Sequence, residues 1–147
     1  MTEKNKIEID VPQLIIEGIQ EKKGKGIVVL DLSAIETAAA HRFIICEGSS
    51  TMQVTSIADS IRDYLFEHSQ IKPYNYDGYR NAEWIVIDYG DTLVHVFYKE
   101  VRQHHNLEEL WCDAAITKIP DLDWNFFITQ NFYLYEWQHK QTNKTEF

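Results

Sequence analysis

Gly48 and Ser49 stand between a short apolar run, RFIICE at residues 42–47, and a segment with helical spacing. In that arrangement a backbone turn at a helix N-terminus can hold a phosphate through free amides and the helix dipole. Nucleotidyltransferases open their active sites in the same way, but their chemistry also needs two carboxylates on a following strand to hold divalent metal ions. After Ser50 the chain reads TMQVTSIADSIRDY, a helix, and no acidic-x-acidic strand comes behind it. Glu83 and Asp88 are too far apart to serve, and Asp88 and Asp91 straddle a turn. No catalytic residue, cofactor or metal site is therefore expected. His95, between Val94 and Val96, reads as a core histidine, and the adjacent His104 and His105 lack the i, i+4 spacing of a metal-binding helix face. Cys46 and Cys112 are isolated and set among apolar or aromatic neighbours, which predicts buried thiols rather than a disulfide framework.

The elements that would position these residues alternate between strand and helix. Asp10 and Pro12 suit the start of a helix carrying Leu14, Ile15, Gly18 and Ile19, which the Gly24-Lys25-Gly26 breaker ends. IVVLDL at 27–32 is a buried strand, residues 33–40 allow a short helical turn, and 42–47 form the second strand. Ser50 and Gln53 have capping-box spacing, and Val54, Ile57, Ala58, Ile61 and Leu65 give an amphipathic helix running to about His68. Residues 69–80 hold turn formers and aromatics, with room for a short edge strand. EWIVIDY (83–89) and TLVHVFY (92–98) flank Gly90 and Asp91 as an antiparallel hairpin, apolar on both faces and so covered on both. From Lys99 to about Ala115 the spacing is helical, with Leu107, Leu110 and Trp111 turned to the core and Glu108 and Glu109 to solvent. The fold class expected is α/β (α+β): a mixed five-stranded sheet flanked by helices, with a nucleotidyltransferase-like topology.

Composition limits the partners. The 147 residues carry 14 basic and 23 acidic side chains, a formal charge of −9, with 44% hydrophobic residues. Such a chain can build a core, but it gains little from counterion release on nucleic acid unless its basic residues gather on one face. A basic protein surface is the better electrostatic complement. No run is long and apolar enough for a membrane span, and the N-terminal residues resemble no signal peptide, so a cytoplasmic location is the expectation.

Four blocks in order resemble the ribosomal silencing factor, or Iojap, family. They are IVVLDLS (27–33), FIICEGSSTMQVTSIADSI (43–61), GYRNAEWIVIDYGDTLVHVF (78–97) and RQHHNLEELWCDA (102–114). The resemblance covers roughly residues 8–117, making 1–119 the family-like domain and 120–147 an aromatic C-terminal extension. The sequence departs from the family's pattern at His41, Arg42, Met52 and His105.

The resemblance implies a non-enzymatic translation repressor active when nutrients are scarce. It would bind the large ribosomal subunit through ribosomal protein L-fourteen and obstruct joining of the small subunit. The contact surface then expected comprises Trp84, the turn Asp88, Tyr89, Gly90 and Asp91, and Arg102 with His105. For Trp84 the alternative is a core tryptophan, for the turn simple turn chemistry, and for Arg102 a pairing with an acidic neighbour. A homodimer, a protein-binding module with another target and a nucleotidyltransferase-fold enzyme remain the alternatives.

Overall fold

The structure, a computed structural model, describes residues 8–122. The chain runs α1 (Val11–Glu21), β1 (Lys25–Asp31), β2 (Arg42–Gly48), α2 (Thr51–Ser69), β3 (Asn75–Asp77), β4 (Trp84–Asp88), β5 (Thr92–Tyr98), α3 (Lys99–His105), α4 (Leu107–Leu110) and β6 (Ala115–Lys118). The strands form one mixed sheet in the order β3-β4-β5-β2-β1-β6. β2 and β5 pair in parallel at its centre and every other neighbour is antiparallel.

α1 and α2 cover one face. Asp10 caps α1, its carboxylate accepting from the Gln13 amide at 3.2 Å. Ser50 caps α2 through the Gln53 amide at 3.1 Å. The reciprocal half of that cap is displaced by one residue, because the Gln53 side chain accepts from Ser49 rather than from Ser50. Ile15, Ile16 and Ile19 of α1 interdigitate with Val54, Ile57, Ala58, Ile61 and Leu65 of α2 over Ile27, Ile44, Cys46, Ile85, Ile87, Val94 and Val96 of the sheet. Each fully buried valine, leucine or isoleucine among them contributes about 1.5–3 kcal/mol before chain entropy is set against it.

The opposite face is covered less completely. Val28, Leu30, Leu32, Phe43, Ile45 and Phe97 lie beneath Leu107 and Ala114, with Trp84, Leu93 and Trp111 at the margin. The cover comes from the 32–41 loop and the short α4, and neither reaches across β4. Along β4 the residues turned this way, Trp84, Val86 and Asp88, are only half-buried.

The mixed sheet flanked by helices is the fold class expected, but it has six strands rather than five. The helical spacing that extends to about Ala115 gives way there to β6, whose four residues are all exposed, so no alternation of burial marks the strand. It exists because it pairs with β1, from Asp31 opposite Ala115 to Val28 opposite Lys118. Residues 33–40 form turns instead of a helix, since Asp31 accepts from the Ser33 amide and hydroxyl at 3.0 and 2.6 Å and draws the backbone into a side-chain turn. The single helix expected from Lys99 is split at Asn106, whose left-handed backbone (φ 42) redirects the chain. Leu107 and Trp111 keep the inward direction, whereas Leu110 is 71% exposed. Cys46 is buried, which pushes its thiol up to about 12, while Cys112 is exposed rather than buried. The aromatic run from Trp124 onward lies outside the described residues.

Candidate functional site

The β4–β5 hairpin sets most of the expected contact residues. Its turn is made by Gly90 at φ +89, with the Asp88 carboxylate accepting from the Gly90 amide at 2.8 Å and the Tyr89 amide donating to the Thr92 carbonyl at 2.9 Å. The Asp91 carbonyl receives the amides of both His41 and Arg42, tying the turn to the start of β2. The Asp91 carboxylate is 87% exposed and stands 4.0 Å from His41, an ion pair only when that histidine is protonated. Tyr89 points away from these groups into the margin of the helical face. Its buried hydroxyl has no hydrogen-bond partner among the described residues, and burial pushes it above the ordinary range.

At the other end of β4, Trp84 sits on the open face. Its indole N–H donates to Nδ1 of His95 at 3.1 Å, and its ring stacks on Phe97 at 5.1 Å. The exposed His105, from the end of α3, brings its ring within 4.7 Å of the indole. His95 is 6% exposed, meets Phe43 edge-on at 4.7 Å, and is pulled down to about 4 by burial, which keeps it neutral at pH 7. An indole N–H can only donate, so the neutral imidazole must carry its proton on Nε2. The core histidine expected from the strand pattern thus orients the tryptophan through Nδ1.

Arg102 is placed differently. Its side chain is 11% exposed. One guanidinium nitrogen donates to the Gly26 carbonyl at 2.7 Å and to Glu47 at 2.9 Å, while Nε and the other terminal nitrogen grip a single Glu108 oxygen at 3.1 and 2.6 Å. Burial raises the Glu108 carboxyl, but the hydrogen bonds and charge of Arg102, a backbone amide and the charge of Lys118 together outweigh it, leaving the group below its ordinary value. Arg102 therefore clamps α3 and α4 onto the start of β1 and the end of β2. Glu108, expected to be solvated, is its partner; a separation of six residues on a broken helix carries no periodic signal that would pair them.

Four of the expected residues accordingly form two groups, one at each end of β4. Trp84 and His105 meet at one end, Asp88 and Asp91 lie at the other, and Val86 lies between them facing the same way as Trp84 and Asp88. The separation along β4 is about 13 Å.

The Gly48-Ser49 turn has its donors engaged. Ser49 gives its amide and hydroxyl to the Gln53 side-chain oxygen at 2.7 and 2.9 Å, and Gln53 in turn donates to the carbonyls of Lys22 and Lys23. Among the described residues no group of three or more His, Cys, Asp or Glu is arranged to hold a metal ion. No helix among them is long and apolar enough to cross a membrane.

A family model described as "Ribosomal silencing factor during starvation" matches residues 6–146. The chain is 40% identical over 103 residues to ribosomal silencing factor RsfS of Bacillus subtilis, covering 70% of this chain and 83% of that protein. It is 37% identical over 107 residues to the RsfS of Halalkalibacterium halodurans, covering 73% and 90%. The maize chloroplast protein Iojap is 33% identical over 78 residues, 53% of this chain and 33% of that protein. Among solved structures, a protein of Chromobacterium violaceum superposes with a TM-score of 0.65 at 35% identity, covering 69% of this chain and 82% of the other. One from Bacillus halodurans gives 0.61 at 34% identity, covering 77% and 96%.

Proposed function

The chain belongs to the ribosomal silencing factor family, and we propose that it docks through the open face of β4 on the large-subunit protein L-fourteen and there excludes the small subunit. Members of this family are named for regulating translation on the ribosome, not for an enzymatic step. The observation that carries the docking reading is Trp84: a half-buried indole, fixed by His95 on one side and Phe97 beneath, at the edge of the less covered sheet face. A large aromatic held in one orientation loses little entropy when a partner closes over it, which is what an interface anchor needs.

A stable contact takes about 800 Å² from each partner, so Trp84 must act with its neighbours. Val86, Asp88 and His105 extend the surface along the strand and onto α3, and Asp91 adds charge at its far rim. Arg102 and Tyr89 act in this reading as internal supports. An acidic protein suits a basic ribosomal protein, and its charge repels misplacement onto bare RNA. Steric exclusion needs no chemistry, and the role puts the protein in the cytoplasm with the subunits.

The test is sedimentation of the purified chain with isolated large and small subunits. Migration with the large subunit alone, accompanied by fewer joined ribosomes, is the expected result. Trp84→Ala should weaken docking at least tenfold, and Val86→Arg, which leaves the Trp84–His95 bond intact, should do the same with an unchanged unfolding midpoint. A wild-type chain that stays at the top of the gradient would overturn the proposal.

A further inference from the structure

The charge of this acidic chain is unevenly distributed. A cavity of about 540 Å³ at the N-terminal end of the parallel pair β2–β5 is lined by Glu8, Asp10 and Asp91, with Arg42 the one cation in its lining among the described residues. At the other end of the same pair, a cavity of about 310 Å³ is lined by Lys23, Lys25 and Lys99. These are half of the six lysines among the described residues, the others being Lys22, Lys72 and Lys118. Lys22 adjoins them in sequence, its carbonyl held by Gln53. The acids Glu21 and Glu100 also adjoin these lysines in sequence, and Asp121 accepts from the Gly26 amide nearby; these three acids lie outside the lining. Among the described residues Glu47 is the only acid of this lining, and it is paired with Arg102 at 2.9 Å.

We infer that this lysine-ringed end of the molecule contacts the phosphodiester backbone of RNA, next to the protein-docking face. The inference rests on the docking reading above and names a second partner for the same encounter. Three features support a phosphate backbone. Among the described residues the lining carries no aromatic or branched aliphatic side chain, its apolar surface coming from lysine and glutamine stems, so it suits a charged partner better than an aromatic or aliphatic anchor. The amide and hydroxyl of Ser49 are engaged by Gln53, so the positive character of this cavity comes from lysine ammonium groups, compact charges that meet phosphates without reading bases. Finally, Lys99 begins α3 two residues after Phe97, on which Trp84 stacks, so the basic end is continuous with the proposed docking face. A protein seated there on a ribosomal protein would turn its lysines to the surrounding RNA and its acidic end away.

The experiment compares the full chain with a Lys25→Gln/Lys99→Gln double variant for binding to isolated large subunits across about 50–200 mM salt. Both side chains are exposed, and unchanged thermal unfolding would verify the fold. The variant should bind more weakly at low salt, and its plot of log affinity against log salt should be shallower by about 1.5–2, two phosphate contacts' worth. An unchanged slope and affinity would overturn the inference while leaving docking intact. An equal loss on RNA-free L-fourteen would overturn it in favour of an acidic protein contact. Absence of wild-type binding at every salt would overturn both readings.

Discussion

The Arg102 guanidinium joins three stretches of chain: the Gly26 turn, the end of β2 at Glu47, and α4 at Glu108. Removing it leaves two partly buried carboxylates and a carbonyl without their donor. Arg102→Ala should therefore cost about 3 kcal/mol, read as a shift in the denaturant midpoint at constant m-value. Arg102→Lys should recover only a fraction, because one ammonium cannot span acceptors that a planar fork reaches on two sides. His95 offers a test of a different kind. Its native value of about 4 lies below the 6.5 of an unfolded histidine, so the unfolded chain takes up the proton first as pH falls. Above about 6.5 both states are neutral and stability is undiminished; between 6.5 and 4 the native state loses stability, by about 3 kcal/mol in all. His95→Asn retains an acceptor for the Trp84 indole, and it should flatten stability against pH in that window relative to wild type. An identical slope in both proteins would remove the assignment.

At the scale of elements, the approach to β4 depends on a glycine. Gly78 has φ +103, and a Cβ placed there would stand 2.1 Å from the Trp84 carbonyl oxygen. Gly78→Ala should cost about 2–4 kcal/mol through a backbone clash that no rotamer relieves, and it should weaken ribosome docking by displacing Trp84. Tryptophan fluorescence during unfolding would read the first effect and subunit sedimentation the second. The central elements are legible in the sequence because their signals are dense: β2 and β5 as apolar runs, α2 from Ser50 and five apolar residues at helical spacing, and the hairpin turn from Gly90. β6 is not legible, since an exposed edge strand is defined by its partner β1 and not by its own pattern. The break at Asn106 is equally hidden, for asparagine tolerates left-handed backbone without announcing it. Of the site, the hairpin residues and Trp84 can be named from sequence, but the engagement of Arg102 with Glu108, Glu47 and Gly26 arises from contacts across the fold. His95 is readable as a core residue, whereas its bond to Trp84 requires the register that sets Trp84 opposite Phe97.

Taken over the described residues, the molecule has one sheet face sealed by two helices and another left partly open, with an acid-lined cavity at one end of the central strand pair and a lysine-lined one at the other. Such a body can meet a composite partner, protein against the open face and RNA at the basic end, without rearranging itself. The sheet's closure also has a bearing on how the chain is made. β1 pairs on its outer side only with β6, and Ala115 comes 84 residues after its partner Asp31. At about 5–20 residues per second, synthesis separates those two by roughly 4–17 s. By the end of that interval the elements from α1 to β5 have been made, while the outer edge of β1 is still bare and open to a neighbouring chain on the same message. Lys25 and Asp31 put an exposed charge at each end of the strand, the kind of side chain that discourages pairing at a bare edge.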